Sequence, residues 1–205
     1  REKLSFTERQ VLPALGRLLD QPGILEGIIL STCNRTEIYA VAADPDAAKQ
    51  VLKTFWCNEK RIQGATLDEY GYFYAHEDAI RHLHRVAAGV DSLIVGEGQI
   101  LAQVKASLAN AQQIDAAGQF LEAIFQQAIK VGKGVRTETD IGRGSVSVSS
   151  AAVEVAGNHL GDLREKIVLI YGAGKMSSHT IKCLLQRGAK HVYIVNRTLE
   201  RAQEA

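Results

Sequence analysis

The sequence predicts an α/β protein: an α/β sandwich, a helical stretch, and then the first βαβ unit of a parallel sheet. Three observations carry this. Over the first hundred residues short apolar runs alternate with amphipathic segments. From Gln99 onward the apolar residues recur at helical spacing alone. Near the other end a strand, a glycine loop, a helix and a second strand follow one another without interruption. The 205 residues, 46% hydrophobic and 23% charged, are enough to bury a real core and exclude disorder, collagen-like repeats and a disulfide scaffold.

Thr7 followed by Val11, Leu12, Leu15, Leu18 and Leu19 reads as a first helix, with Pro13 inside it. Ile28-Ile29-Leu30 reads as a buried strand and residues 38–42 as a second, with a polar segment between them. Residues 46–55 and 78–88 have helical spacing, and Tyr72-Phe73-Tyr74 reads as strand. Two helices follow, one on Ile100, Val104, Leu108 and Ala111, the other on Leu121, Ile124, Phe125, Ala128 and Ile129; a third is expected over 146–159. The polar, glycine-containing stretch 157–165 gives the expected boundary between a domain 1–162 and a partial domain 163–205. In the latter, 167–171 is a strand, 175–187 a helix and 192–195 a second strand.

Bulk properties narrow the function little. A net charge of +1 argues neither for nor against a nucleic-acid partner. Three cysteines, Cys33, Cys57 and Cys183, are odd in number and far apart, which fits a reducing compartment. No apolar run approaches the roughly 18 residues of a membrane span. Arg1-Glu2-Lys3 opens no signal peptide. The opening without methionine and the close inside a running pattern lead us to expect a piece of a longer polypeptide.

Gly172-Ala173-Gly174-Lys175-Met176-Ser177 lies directly after a predicted strand and opens a predicted helix, the context of a Rossmann-type dinucleotide fingerprint. Gly172 permits the tight turn and Gly174 lets the backbone approach a pyrophosphate at the helix N-terminus. Ser177 replaces the third glycine, and a tight turn of another α/β fold is the competing reading. Dinucleotide units that take NAD place a carboxylate roughly 20 residues further on, for the ribose hydroxyl. This chain has Asn196-Arg197-Thr198, where Arg197 can pair with a 2′-phosphate and Thr198 can donate to it. NADPH is therefore the expected cofactor, against a solvated strand-end arginine.

Cys33 supplies the candidate chemistry. It sits in a polar loop between strands, beside Thr32, Asn34 and Arg35, where positive charge favours the thiolate. Cys57 and Cys183 read as small hydrophobes. His76, His82 and His84 lack the companions of a zinc site, and on a helix His82 and His84 point about 200° apart. One histidine of this helix suits an acid–base role, and the local sequence does not choose which. Glu97 and Gln99, just before a helix, either cap it or meet a polar ligand. Lys130, Lys133 and Arg136 form either a basic stripe or a solvated helix face.

Taken together, Leu30-Ser31-Thr32-Cys33-Asn34-Arg35-Thr36-Glu37, Arg85 to Gly89, Gly96 to Lys105, Val135 to Gly142 and the Gly172 loop through Thr198 closely resemble the glutamyl-tRNA reductases, over nearly the whole chain. The resemblance implies that Cys33 attacks the ester of glutamyl-tRNA(Glu), that tRNA leaves as a thioester forms, and that NADPH reduces the thioester to glutamate-1-semialdehyde, opening tetrapyrrole synthesis. It implies His82 as the histidine that assists proton transfer or polarises the carbonyl. Thr32, Asn34, Arg35, Ser92, Glu97, Gln99 and Gln103 match substrate-pocket positions, with Arg35 the partner of the glutamate side chain. A homodimer in the full-length protein, product transfer to a glutamate-1-semialdehyde aminotransferase, and a cytoplasmic or plastid-stroma location follow from the same resemblance; no metal and no membrane do. Gly98 stands where many members have proline, as in cyanobacterial and plastid forms. The family's first strand, the rest of its NADPH domain and its C-terminal dimerisation domain are absent here.

Two other readings are set against this one. A shikimate-dehydrogenase-like oxidoreductase also follows a glycine loop with Asn-Arg-Thr, but its chemistry needs no thiol. A non-catalytic tRNA-binding or regulatory relative requires a disabled site, whereas Cys33, Arg35 and His82 are all present.

Overall fold

The computed structural model describes residues 3–92, 94–142 and 147–204. They fall into two compact units, residues 1–143 and 144–205.

The first unit opens with α1 (Glu8–Leu19), where Gln10 Oε1 accepts from the Thr7 N–H at 3.0 Å as in a capping box. Pro13 does not end this helix, because Val11, Ala14, Leu15 and Leu18 bury its opposite face. β1 (Ile24–Ser31) and β2 (Thr36–Ala42) form an antiparallel pair in which Ser31 faces Thr36. Ile28, Ile29 and Leu30 are consecutive and all buried, so both faces of β1 are covered; α1 and the later α5 pack against it. α2 (Pro45–Lys60) starts where sequence chemistry demands, with proline in its first turn and Asp44 Oδ1 accepting from the N–H groups of Asp46 and Ala47 at 2.9 and 3.3 Å.

A short helix α3 (Gly64–Tyr70) precedes α4 (His76–Ala88). Tyr72-Phe73-Tyr74, expected as strand, is irregular chain between these helices; it pairs with neither β1 nor β2, and without a ladder partner aromatic content alone does not make a strand. α5 (Gln99–Gln112) and α6 (Gln119–Glu138) complete the unit, followed by a 3₁₀ turn, Asp140–Gly142. Buried Glu26 anchors the start of α6, accepting from the N–H groups of Phe120 at 3.2 Å and Leu121 at 2.7 Å. Phe125, Leu15, Leu18, Leu83, Val86 and Val104 are fully buried with the centre of β1, each large side chain contributing about 1.5–3 kcal/mol relative to exposure.

The second unit holds α7 (Val148–Leu160), a 3₁₀ turn Leu163–Glu165, β3 (Ile167–Tyr171), α8 (Lys175–Gln186), β4 (His191–Val195) and α9 (Leu199–Gln203). β3 and β4 run parallel in register from Ile167 opposite His191 to Tyr171 opposite Val195, giving the expected βαβ unit. The sequence boundary after residue 162 would assign α7 to the first domain. It packs instead with the second, because Val153 is buried in one cluster with Leu163, Leu184 and Ala189, and Ser149 Oγ donates to the Met176 carbonyl at 3.3 Å. Among the described residues, no helix is long and apolar enough to cross a membrane.

Candidate functional site

The register of β1 and β2 leaves residues 32–35 as the hairpin tip. Thr32 closes it: its N–H donates to the Arg35 carbonyl at 2.8 Å, and its Oγ1 accepts from the N–H groups of Asn34 and Arg35 at 3.1 and 3.0 Å. Thr32 therefore shapes the loop. Cys33 and Asn34 project at the exposed tip.

Below the tip, Glu37 is buried on β2 and gathers four side chains. Its Oε1 accepts from Arg35 Nη1 at 2.8 Å, lies 2.9 Å from His82 Nε2, and accepts from the Tyr72 hydroxyl. Its Oε2 accepts from the Tyr39 hydroxyl at 2.5 Å, and Tyr39 is itself held edge-on to Phe125, with centroids 5.2 Å apart. Arg35 Nη1 also donates to Asp91 Oδ2 at 3.1 Å, and Nη2 to the Asp91 carbonyl. His82 Nδ1 faces Asp91 Oδ2 at 3.7 Å. The guanidinium of Arg35 thus joins Glu37 to the loop after α4, and no hydrogen bond carries it to Cys33.

The electrostatics follow from this packing. Burial opposes a charge on Glu37, but hydrogen bonds from His82, Tyr39 and Tyr72 and the charge of Arg35 outweigh it and hold the carboxyl down at about 2. Burial first, and then the Glu37 charge, push the hydroxyls of Tyr39 and Tyr72 well above their ordinary range, so both remain donors. Arg35, although desolvated, is kept protonated by Glu37 and Asp91.

Of the three clustered histidines only His82 enters this network; His84 Nδ1 lies 2.8 Å from the Ile80 carbonyl of its own helix, and His76 opens α4. Among the described residues, no three His, Cys, Asp or Glu side chains group as metal ligands. The chain from Gly89 to Gln99 is folded by glycines: the Gly96 N–H donates to the Gly89 carbonyl at 3.0 Å, both residues have φ near +80°, and Arg136 Nη1 donates to the Gly96 carbonyl at 2.9 Å. Arg136 is therefore a brace for this loop, whereas Lys130 and Lys133 are exposed. Gly98 stands at the N-cap of α5, with no side-chain cap, so neither Glu97 nor Gln99 caps the helix. Ser92, Glu97 and Gln103 are half-buried and Gln99 is exposed.

Sequence reasoning singled out neither Glu37, Asp91, Tyr39 nor Tyr72 as site residues. A carboxylate at the inward position of a strand was the readable signal for Glu37; the other three depend on tertiary contacts.

In the second unit Gly172 adopts φ +103°, a conformation that favours glycine, and its N–H donates to the Val195 carbonyl at 2.7 Å. Ser177 Oγ donates to the Gly172 carbonyl at 2.6 Å, so serine at the third position ties the turn together. Asn196 Oδ1 accepts from the Ala173 N–H at 3.3 Å while its Nδ2 donates to the Thr198 carbonyl at 2.8 Å. Asn196 thus fixes the glycine loop to the end of β4. Arg197, Thr198 and Met176 are exposed; the side chain of Lys175 lies outside the described residues. Nothing stands within 4 Å of where a Cβ would be on Gly172 or Gly174, so the loop is open to close approach by a phosphate at the start of α8. These residues fit a dinucleotide.

Residues 1–139 match the family model of the glutamyl-tRNAGlu reductase N-terminal domain, and residues 154–205 that of shikimate/quinate 5-dehydrogenase. The chain is 45% identical over 204 residues to glutamyl-tRNA reductase of Carboxydothermus hydrogenoformans and 47% identical to that of Synechocystis, covering 100% of this chain and 45% and 48% of those proteins. The solved structure of glutamyl-tRNA reductase from Methanopyrus kandleri matches 99% of this chain and 47% of its own, with a TM-score of 0.61 and 36% identity. The chain spans about half the length of the curated relatives it matches. It belongs to the glutamyl-tRNA reductase family.

Proposed function

We propose that this chain is the substrate-activating region, with the start of the cofactor domain, of an enzyme that reduces glutamyl-tRNA(Glu) to glutamate-1-semialdehyde. The observation that carries the reading is the placement of Cys33 on an exposed hairpin tip whose base is locked by Arg35 and Glu37 to His82 and Asp91. The Cys33 thiolate adds to the ester carbonyl; the bond from that carbon to the ribose oxygen breaks, the oxygen takes a proton, and free tRNA leaves a glutamyl thioester on Sγ. His82 is the group placed to move that proton or to polarise the carbonyl. Asn34, Ser92, Glu97, Gln99 and Gln103 are assigned to the glutamyl group. Arg35 orders the loop that receives it and offers any donor not taken by Glu37 and Asp91.

NADPH, when bound, supplies the hydride that converts the thioester to aldehyde and thiolate. Gly172, Ala173, Gly174, Met176 and Ser177 would hold its pyrophosphate, and Arg197 and Thr198 its 2′-phosphate, with Asn196 keeping the loop in place. Lys175 is assigned to the same loop from sequence alone. Homodimerisation, hand-over of the aldehyde to an aminotransferase and a cytoplasmic location belong to the same reading.

The test uses the full-length enzyme, wild type and Cys33→Ser, with charged glutamyl-tRNA. Wild type should release tRNA without NADPH and form aldehyde only with it, and the variant should do neither. Aldehyde formation by the variant would overturn the thioester role and favour a thiol-independent dehydrogenase, the activity named by the family model that matches the second unit.

A further inference from the structure

Between α3 and α4 the chain sets four large aromatic residues in five positions toward water: Tyr70, Tyr72, Phe73 and Tyr74 are 71%, 55%, 38% and 47% exposed. Such a concentration on the surface marks a contact site more often than chance. The rings are also ordered. Tyr72 stands edge-on to His82 with centroids 5.2 Å apart, Tyr74 is tilted against the same imidazole at 5.0 Å, and the two tyrosines are 5.3 Å from each other. The outer ring, Phe73, lies beneath the ammonium of Lys49, 5.5 Å from its centroid. An aromatic wall therefore runs from the side chain assigned to proton transfer out to a cation on the surface.

A substrate with two ends has to be accommodated here. The ester that Cys33 would attack joins an amino acid to the ribose of the last nucleotide of an RNA, so a nucleobase lies one sugar away from the reacting carbonyl. Flat, exposed rings bind a base by stacking, whatever its sequence, and a neighbouring lysine meets the phosphate that follows.

We propose that Phe73 and Tyr74 form the stacking platform for the 3′-terminal nucleobase of the aminoacylated RNA, with Lys49 meeting its phosphate. The proposal rests on the thioester reading above and adds a subsite to it. Tyr72 is the inner edge of the platform and doubles as a donor to Glu37, which couples occupancy of the wall to the His82 network.

Two small substrates separate this idea from a structural role: the 3′-glutamyl ester of adenosine and the glutamyl ester of 1-O-methylribose, which lacks the base. NADPH-dependent aldehyde formation by the full-length enzyme gives kcat/KM for each. In Tyr74→Ala and Phe73→Ala the preference for the adenosine ester should fall about tenfold, as loss of one stacking partner implies. Tyr74→Phe and Phe73→Tyr should retain the preference, because a flat ring remains. Lys49→Gln should raise KM for charged tRNA and weaken its salt dependence, with the adenosine ester unaffected. If the alanine variants keep the wild-type preference, whether or not both activities drop, the wall is structural or serves a protein partner, and the proposal is wrong. A wild-type enzyme that turns over neither ester nor charged tRNA through Cys33 would instead fail the functional reading.

Discussion

Nε2 of His82 lies 2.9 Å from Oε1 of Glu37, the same oxygen that receives Arg35 at 2.8 Å. One carboxylate atom thus fastens the hairpin that carries Cys33 to the helix that carries His82. These two residues are 49 positions apart in a chain where a shift of either element would separate them. Glu37 acts on the candidate reaction through its neighbours, as a positioning residue.

The acid response of the first unit should report this directly. The folded pKa of Glu37, about 2, lies below its ordinary 4.5. Its ionisation therefore stabilises the fold fully above about pH 4.5, and the contribution is lost as pH falls through about 2. The linked free energy is on the order of 3 kcal/mol. Urea titrations of wild type and Glu37→Gln should show a gap in stability at pH 7 that narrows by pH 3. A gap of constant size would mean that Glu37 is not ionised in the native protein.

Replacing Arg35 by lysine removes a fork that serves three acceptors on two segments and leaves a single ammonium. We expect Arg35→Lys to lower stability by about 1–2 kcal/mol, in the range of charged hydrogen bonds lost from a part-buried site. In the full-length enzyme KM for glutamyl-tRNA should rise while NADPH affinity stays at its wild-type value. Fluorescence titration with NADPH beside steady-state kinetics separates the two, and equal losses in both would remove Arg35 from substrate recognition.

The order of elements was legible because it is local. Apolar periodicity located α1, α4, α5 and α6, and the glycine loop with its flanking strands located the βαβ unit, since turn, helix start and strand are set by neighbours in sequence. The tip of the hairpin was legible for the same reason. The interior of the site was not. The contacts of Glu37 with Tyr72 and His82 span 35 and 45 positions, and no spacing rule connects them. Asn196 was read as a ligand of the cofactor, yet its amide is occupied in joining Ala173 to Thr198. The boundary at 162 failed because a polar stretch marks a surface turn as readily as a linker, and it took the burial of Val153 beside Leu163 to show where α7 belongs.

The loop after α4 depends on Gly96. A Cβ there would stand 1.9 Å from the Ile141 carbonyl oxygen, and φ +83° strains any other L-residue. Gly96→Ala should therefore destabilise the first unit by more than about 2 kcal/mol, beyond a conformational penalty alone. Arg136→Ala, which removes the donor to the Gly96 carbonyl, should cost about 1 kcal/mol. The double variant should lose less than the sum, because distortion at residue 96 already displaces that carbonyl. Additive losses in thermal or urea unfolding would show that the two act separately.

The cofactor loop allows two side chains at adjacent positions to be told apart. Asn196 touches the glycine loop itself, through the Ala173 N–H, whereas Arg197 is exposed and makes no hydrogen bond or ion pair among the described residues. Asn196→Ala should loosen the turn that any dinucleotide uses, so KM should rise for NADPH and NADH alike. Arg197→Ala should raise KM for NADPH about tenfold, the effect of losing one charge-assisted hydrogen bond to a phosphate, and leave KM for NADH within about twofold. The ratio of the two KM values in the full-length enzyme decides between loop support and phosphate recognition. If Arg197→Ala weakens both cofactors equally, this arginine does not read the 2′-phosphate, and the preference for NADPH inferred from Asn196-Arg197-Thr198 must come from another residue.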